Sequence, residues 1–159
     1  MADAFEVDDR TAPRFLTMDR RVPEAVRALV EESDGCLNMN FAVGGSACIR
    51  RAIRKMFEVE EVEQEEWASS VQALAQKHQG VAPTLFQVVE LLGGGEEPLH
   101  NDALRALIAT FKGILYEVYV LGEERAETLA YLSKLLQAVD RDGATQRAPK
   151  TRTAQFPKR

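Results

Sequence analysis

The sequence predicts an all-α protein, an antiparallel bundle of about five to six helices. Three observations lead there. Apolar residues recur at three- and four-residue steps in successive segments, the pattern of a helix with one buried stripe. No segment alternates with period two between hairpin turns, as a strand would. The connections between apolar segments are only a few residues long, which makes neighbouring helices antiparallel.

The elements follow in order. Residues 1–20 form an N-terminal segment without sustained period, carrying a docking cluster at Phe15–Leu16. The first helix starts near Val22 with Ala25, Val26, Leu29 and Val30 on its stripe and Pro23 in its first turn. The turn chemistry of Ser33-Asp34-Gly35 is expected to end it. The second helix aligns Phe41, Cys48, Ile49, Ala52, Ile53, Met56 and Phe57, with Arg50, Arg51, Arg54 and Lys55 mostly off the stripe. Within it Gly44, Gly45 and Ala47 lack bulk. Glycine inside a helix costs about 1 kcal/mol relative to alanine, so the three are read as a notch for close approach of another helix. A phosphate loop would need GxxxxGK[ST] after a strand, and neither is present.

The acidic run Glu58–Glu66 is read as a solvated entrance to the third helix, where carboxylates suit the positive helix end. That helix carries Trp67, Val71, Leu74 and His78 and closes at Gly80. The fourth begins near Pro83 and carries Leu85, Phe86, Val88, Val89 and Leu92. The fifth, capped by Asn101 or Asp102, aligns Leu104, Leu107, Ile108, Phe111, Ile114, Leu115 and Val118. Phe111, Tyr116 and Tyr119 on it are assigned to core or dimer surface. The sixth carries Leu129, Leu132, Leu136 and Val139. The domain is thus placed at 21–140, and 141–159 is a basic extension.

At 159 residues, with 45% hydrophobic and 28% charged residues, the chain has the size and composition of one soluble domain. No run reaches the roughly 18–20 apolar residues of a membrane span, and "MADAFEVDDR" lacks the regions of a signal peptide. A cytoplasmic protein is expected. Cys36 and Cys48, if on one helix, stand about 18 Å apart, too far for a disulfide; free thiols are expected. No metal or cofactor motif is present. Six basic residues from Arg141 onward face Asp142 alone, a net +5, so residues 1–140 carry −10. An acidic body disfavours non-specific nucleic-acid binding, although the tail could touch RNA or an acidic partner.

"FAVGGSACIRRAIRKMF", followed by a polar helix and then "PTLFQVVELLGGGEEPLHNDALRALIATFKGILYEVYVL", resembles a group of bacterial helical domains of the HEPN superfamily over residues 22–121. The resemblance implies a helical bundle that dimerises. It also implies a setting in toxin–antitoxin, phage-defence or regulatory systems, where many HEPN proteins are metal-independent ribonucleases. Their motif is an arginine, then four to six residues, then a histidine. The histidine moves a proton near neutral pH, and the arginine steadies phosphate charge. With His100 as that histidine, the arginine position falls on Gly93, Gly94 or Gly95; with His78 it falls on Val71, Gln72 or Ala73. The motif is broken.

The chain is therefore read as a non-catalytic HEPN-like interaction or accessory module, acting as a homodimer or with a partner protein. One alternative is a ribonuclease using His100 with a displaced arginine, Arg105 first. Another is an RNA- or nucleotide-binding module using Arg50, Arg51, Arg54 and the tail. The triple glycine is read as a flexible connector, and His78 as a helix-end residue without chemistry.

Overall fold

The computed structural model describes residues 18–146, with side chains as far as 141. The Phe15–Leu16 cluster and most of the basic tail lie outside the described residues. Among the described residues there are helices and no strands: α1 (Glu24–Asn38), α2 (Ala42–Val59), α3 (Trp67–Lys77), α4 (Pro83–Gly93), α5 (Asn101–Leu115), a π-helical stretch (Tyr116–Leu121) and α6 (Gly122–Gln146). The all-α bundle is what the periodicity predicts. Contacts divide the chain after Glu123, so that α6 from Glu124 onward is a unit of its own.

In the first unit α1 and α2 pack along each other, α4 packs on α5 and α3, and α5 lies against both α1 and α2. The stripes meet in one core. Val26 and Val30 of α1, Ile49, Ile53, Met56 and Phe57 of α2, and Leu104, Leu107, Phe111 and Ile114 of α5 are all essentially sealed from solvent. Each such side chain stabilises the fold by about 1.5–3 kcal/mol.

α1 does not stop at Ser33-Asp34-Gly35, as turn chemistry predicts, but continues to Asn38. Tertiary contacts override the local preference. Ser33 is buried and donates to the carbonyl of Gly45 at 2.8 Å, while Asp34 pairs with the buried Lys112 of α5. The crossing is close because Gly45 has no side chain; a Cβ there would stand 2.7 Å from Leu104 Cδ2 and 3.4 Å from the Ser33 carbonyl oxygen. A Cβ on Gly44 would meet the Phe41 ring and, at 3.2 Å, Cys36 Sγ. Ala47 is exposed and takes no part in this crossing, because it points away from the stripe. The cysteines are free but sit on different helices, Cys36 on α1 and Cys48 on α2.

Two helix ends share one cap design. After α1, Phe41 N–H donates to Cys36 O and Asn40 N–H to Leu37 O, with Asn40 at φ 55°. After α2, Val62 N–H donates to Phe57 O and Glu61 N–H to Glu58 O, with Glu61 at φ 57°. This is the Schellman arrangement, whose left-handed residue is usually glycine. Asparagine tolerates the conformation, whereas glutamate is strained there by roughly 1–2 kcal/mol. Glu61→Gly is therefore expected to stabilise the protein by about 1 kcal/mol in urea denaturation; an unchanged or lowered midpoint would show that this cap is not strained.

The second cap corrects the reading of the acidic run as a solvated entrance. α2 extends to Val59, the turn buries Glu60 and Val62, and no acid lies in the first turn of α3. The fifth helix also differs from expectation: α-geometry ends at Leu115 and widens into the π-helical stretch, which carries Tyr119.

Candidate functional site

The loop between α4 and α5 joins most of the residues the sequence singles out, and α2 holds it in place. Ser46 and Arg50 lie one turn apart on the inner face of α2. Ser46 Oγ accepts from Leu99 N–H at 2.9 Å. Arg50 Nη1 donates to the Glu97 carbonyl at 2.7 Å, and Nη2 reaches the Leu92 carbonyl at 3.5 Å. Leu92 belongs to the last turn of α4, where carbonyls lack helical partners and a cation is favoured. Arg50 is 9% exposed. Burial, and then the charge of Arg54, press its pKa down, yet a guanidinium remains charged at any physiological pH. Arg50 thus closes a helix end and pins a loop, and its fork is occupied by backbone.

The glycines of this loop are not a loose connector. A Cβ on Gly93 would run into the Trp67 ring, and one on Gly94 would stand 2.8 Å from Trp67 Cδ1. The chain passes flush over the indole, whose Nε1–H donates to the Val89 carbonyl at 3.2 Å. Gly95 is freer, its Cβ position being 3.4 Å from Arg50 Nη2.

His100 is the N-cap of α5, in place of the expected Asn101 or Asp102. Its Nδ1 accepts from Ala103 N–H at 3.0 Å. Histidine can do this because its neutral ring carries one acceptor nitrogen. Arg105 is exposed on α5, and among the described residues no hydrogen bond joins His100 to an arginine. The structure gives the ring a capping role and does not bring the sequence-predicted acid–base and cation together.

Arg51 and Arg54 stand on the outer side of α2, both exposed, and among the described residues no carboxylate pairs with either. They border two depressions. One of about 470 Å³ is shared with Ala25 and Leu29 of α1. The other, of about 350 Å³, lies between α2 and the loop segment Gly95–Pro98.

A second cluster was not legible in the sequence. The Glu60 carboxylate, 10% exposed, accepts from Tyr119 Oη at 2.7 Å, from His78 Nε2 at 2.8 Å and from Lys77 Nζ at 3.1 Å. Lys77 Nζ also donates to the Glu60 carbonyl at 2.6 Å. Burial raises the Glu60 pKa, but the hydrogen bonds from Tyr119, His78 and Lys77 outweigh it and hold the carboxyl below the usual range. Burial, and then Glu60, push the Tyr119 phenol well above its ordinary value. His78, read as inert, thus has a buried partner. The group ties the end of α2 to the end of α3 and to the π-helical stretch. Neither depression bordered by both Arg51 and Arg54 is lined by Glu60, His78 or Tyr119, and the cluster acts as a latch between elements.

Among the described residues no group of His, Cys, Asp and Glu could hold a metal ion, and no helix is long and apolar enough to cross a membrane. No family model, curated protein or solved structure matches the chain.

Proposed function

We propose that this chain is a non-catalytic, HEPN-like interaction module that assembles by burying one face of α6 against a second copy of itself. The observation that carries the reading is the apolar face of that helix. Leu129, Leu132, Leu136 and Val139 follow one another at three-, four- and three-residue steps, and with Leu135 they are 45–67% exposed. This is the spacing of a helix–helix seam, on a scale that a soluble helix does not leave bare without a partner.

The apolar face is its own complement. The first turns of α6 carry Glu123, Glu124 and Glu127 against Arg125, and towards its end Lys134 and Arg141 balance Asp140 and Asp142, so the stretch bearing the leucines has no net charge to repel a second copy. Two copies that bury the same face against each other form an isologous pairing, which closes on itself. The capping role of His100 and the backbone partners of Arg50 favour the non-catalytic reading over a ribonuclease.

Light scattering is expected to report a dimer at concentrations on the order of 10 μM. The double substitution Leu132→Glu/Leu136→Glu should yield a monomer that retains its helical circular dichroism. A wild-type monomer at that concentration would refute the assembly. Cleavage of single-stranded RNA in EDTA, lost in His100→Ala, would refute the non-catalytic part.

A further inference from the structure

We infer that the depression between α2 and the Gly95–Pro98 segment is a binding site for a small phosphate monoester of mononucleotide size. Its volume, about 350 Å³, falls at the lower end of sites that enclose a small organic ligand. Its wall is divided by chemistry. Arg51 and Arg54 supply two guanidinium forks that, among the described residues, form no ion pair with a carboxylate, although residues 1–140 carry a net −10. Arginines without an ion-pair partner leave their donors to a ligand, and the planar fork matches phosphate oxygens in pairs.

A third guanidinium makes this more than a surface patch. Arg50 lines the same depression, is nine-tenths buried, and through Nη1 holds the Glu97 carbonyl at 2.7 Å, which fixes the Gly95–Pro98 wall against α2. Its charge adds to the positive potential of the depression, while Arg51 and Arg54 supply the forks that face solvent. The neighbouring depression beside Ala25 and Leu29 has no third guanidinium, and Lys55 there is already paired with Glu58 at 2.6 Å.

The rest of the wall sets the class. Val43, Ala47 and Pro98 are apolar and suit a flat ring or hydrocarbon body, while Glu96 accepts hydrogen bonds and repels a second anion. A ligand with one phosphate, an apolar face and N–H or O–H donors satisfies all three features. Bare phosphate satisfies the arginines alone, and a polyphosphate would meet Glu96.

The test is calorimetric titration of the full chain with adenosine monophosphate, adenosine and inorganic phosphate. Adenosine monophosphate should saturate with a Kd of about 1 mM or tighter, and the other two should bind at least roughly tenfold more weakly. Arg51→Gln/Arg54→Gln should weaken adenosine monophosphate by about tenfold or more with an unchanged thermal midpoint. Equal binding of adenosine or of phosphate overturns the inference, as does full affinity in the double variant. So does retention of an RNA oligonucleotide without any binding of adenosine monophosphate. Both arginines lie on α2 and not on α6, so failure here leaves the assembly reading standing.

Discussion

Arg50→Ala should lower the thermal midpoint by roughly 10 °C, corresponding to about 3 kcal/mol in a domain of this size. The side chain donates to the Glu97 and Leu92 carbonyls from a position that is 9% exposed. Its removal frees the loop and leaves the end of α4 without its cation. Arg50→Lys should recover less than half of the loss, because an ammonium lacks the fork that spans two carbonyls. Hydrogen exchange should localise the damage to the amides of residues 94–99, including Leu99 N–H on Ser46. A midpoint within a degree or two of wild type would remove Arg50 from the structural role assigned to it.

Tyr119→Phe should cost about 1.5–3 kcal/mol, the range for a hydrogen bond to a charged group, and should change how stability depends on pH at both ends. The Glu60 pKa is lowered in the folded state. Between the folded and unfolded values the unfolded chain binds more protons, so Glu60 contributes stability above its unfolded pKa, and this is lost as pH falls through the folded value. The Tyr119 pKa is raised from 10.0. Its contribution is complete below that value and is lost as pH rises towards the folded one. Subtracting the stability curve of Tyr119→Phe from that of wild type should therefore give a difference that shrinks above pH 10. Glu60→Gln should remove the acid-side component. A difference curve flat from pH 3 to pH 11 would show that the latch carries no ionisable coupling.

The six helical segments can be read from the chain because a buried stripe repeats every three to four residues wherever it occurs. The close approach at Gly45 is readable for a related reason, since glycine within a helix needs a neighbour to offset its cost. Reading failed where a side chain finds its partner far along the chain. Ser33 and Asp34 look like a turn until Gly45 and Lys112 are beside them. Glu60 looks like one acid in a solvated run, yet its partners His78 and Tyr119 are 18 and 59 residues away. Arg50 looks like its neighbours Arg51 and Arg54, but Arg50 is buried and bonded to the backbone of the loop, whereas the other two are exposed.

Composition, period and the residues themselves settled the class of fold, the order of the helices and the run of glycine at positions 93–95, because these depend on each residue and its near neighbours. Which polar groups are buried, which histidine caps a helix and which arginine bonds to the loop backbone were settled by packing. Those outcomes depend on desolvation and on hydrogen-bond geometry between groups that meet only when the helices do.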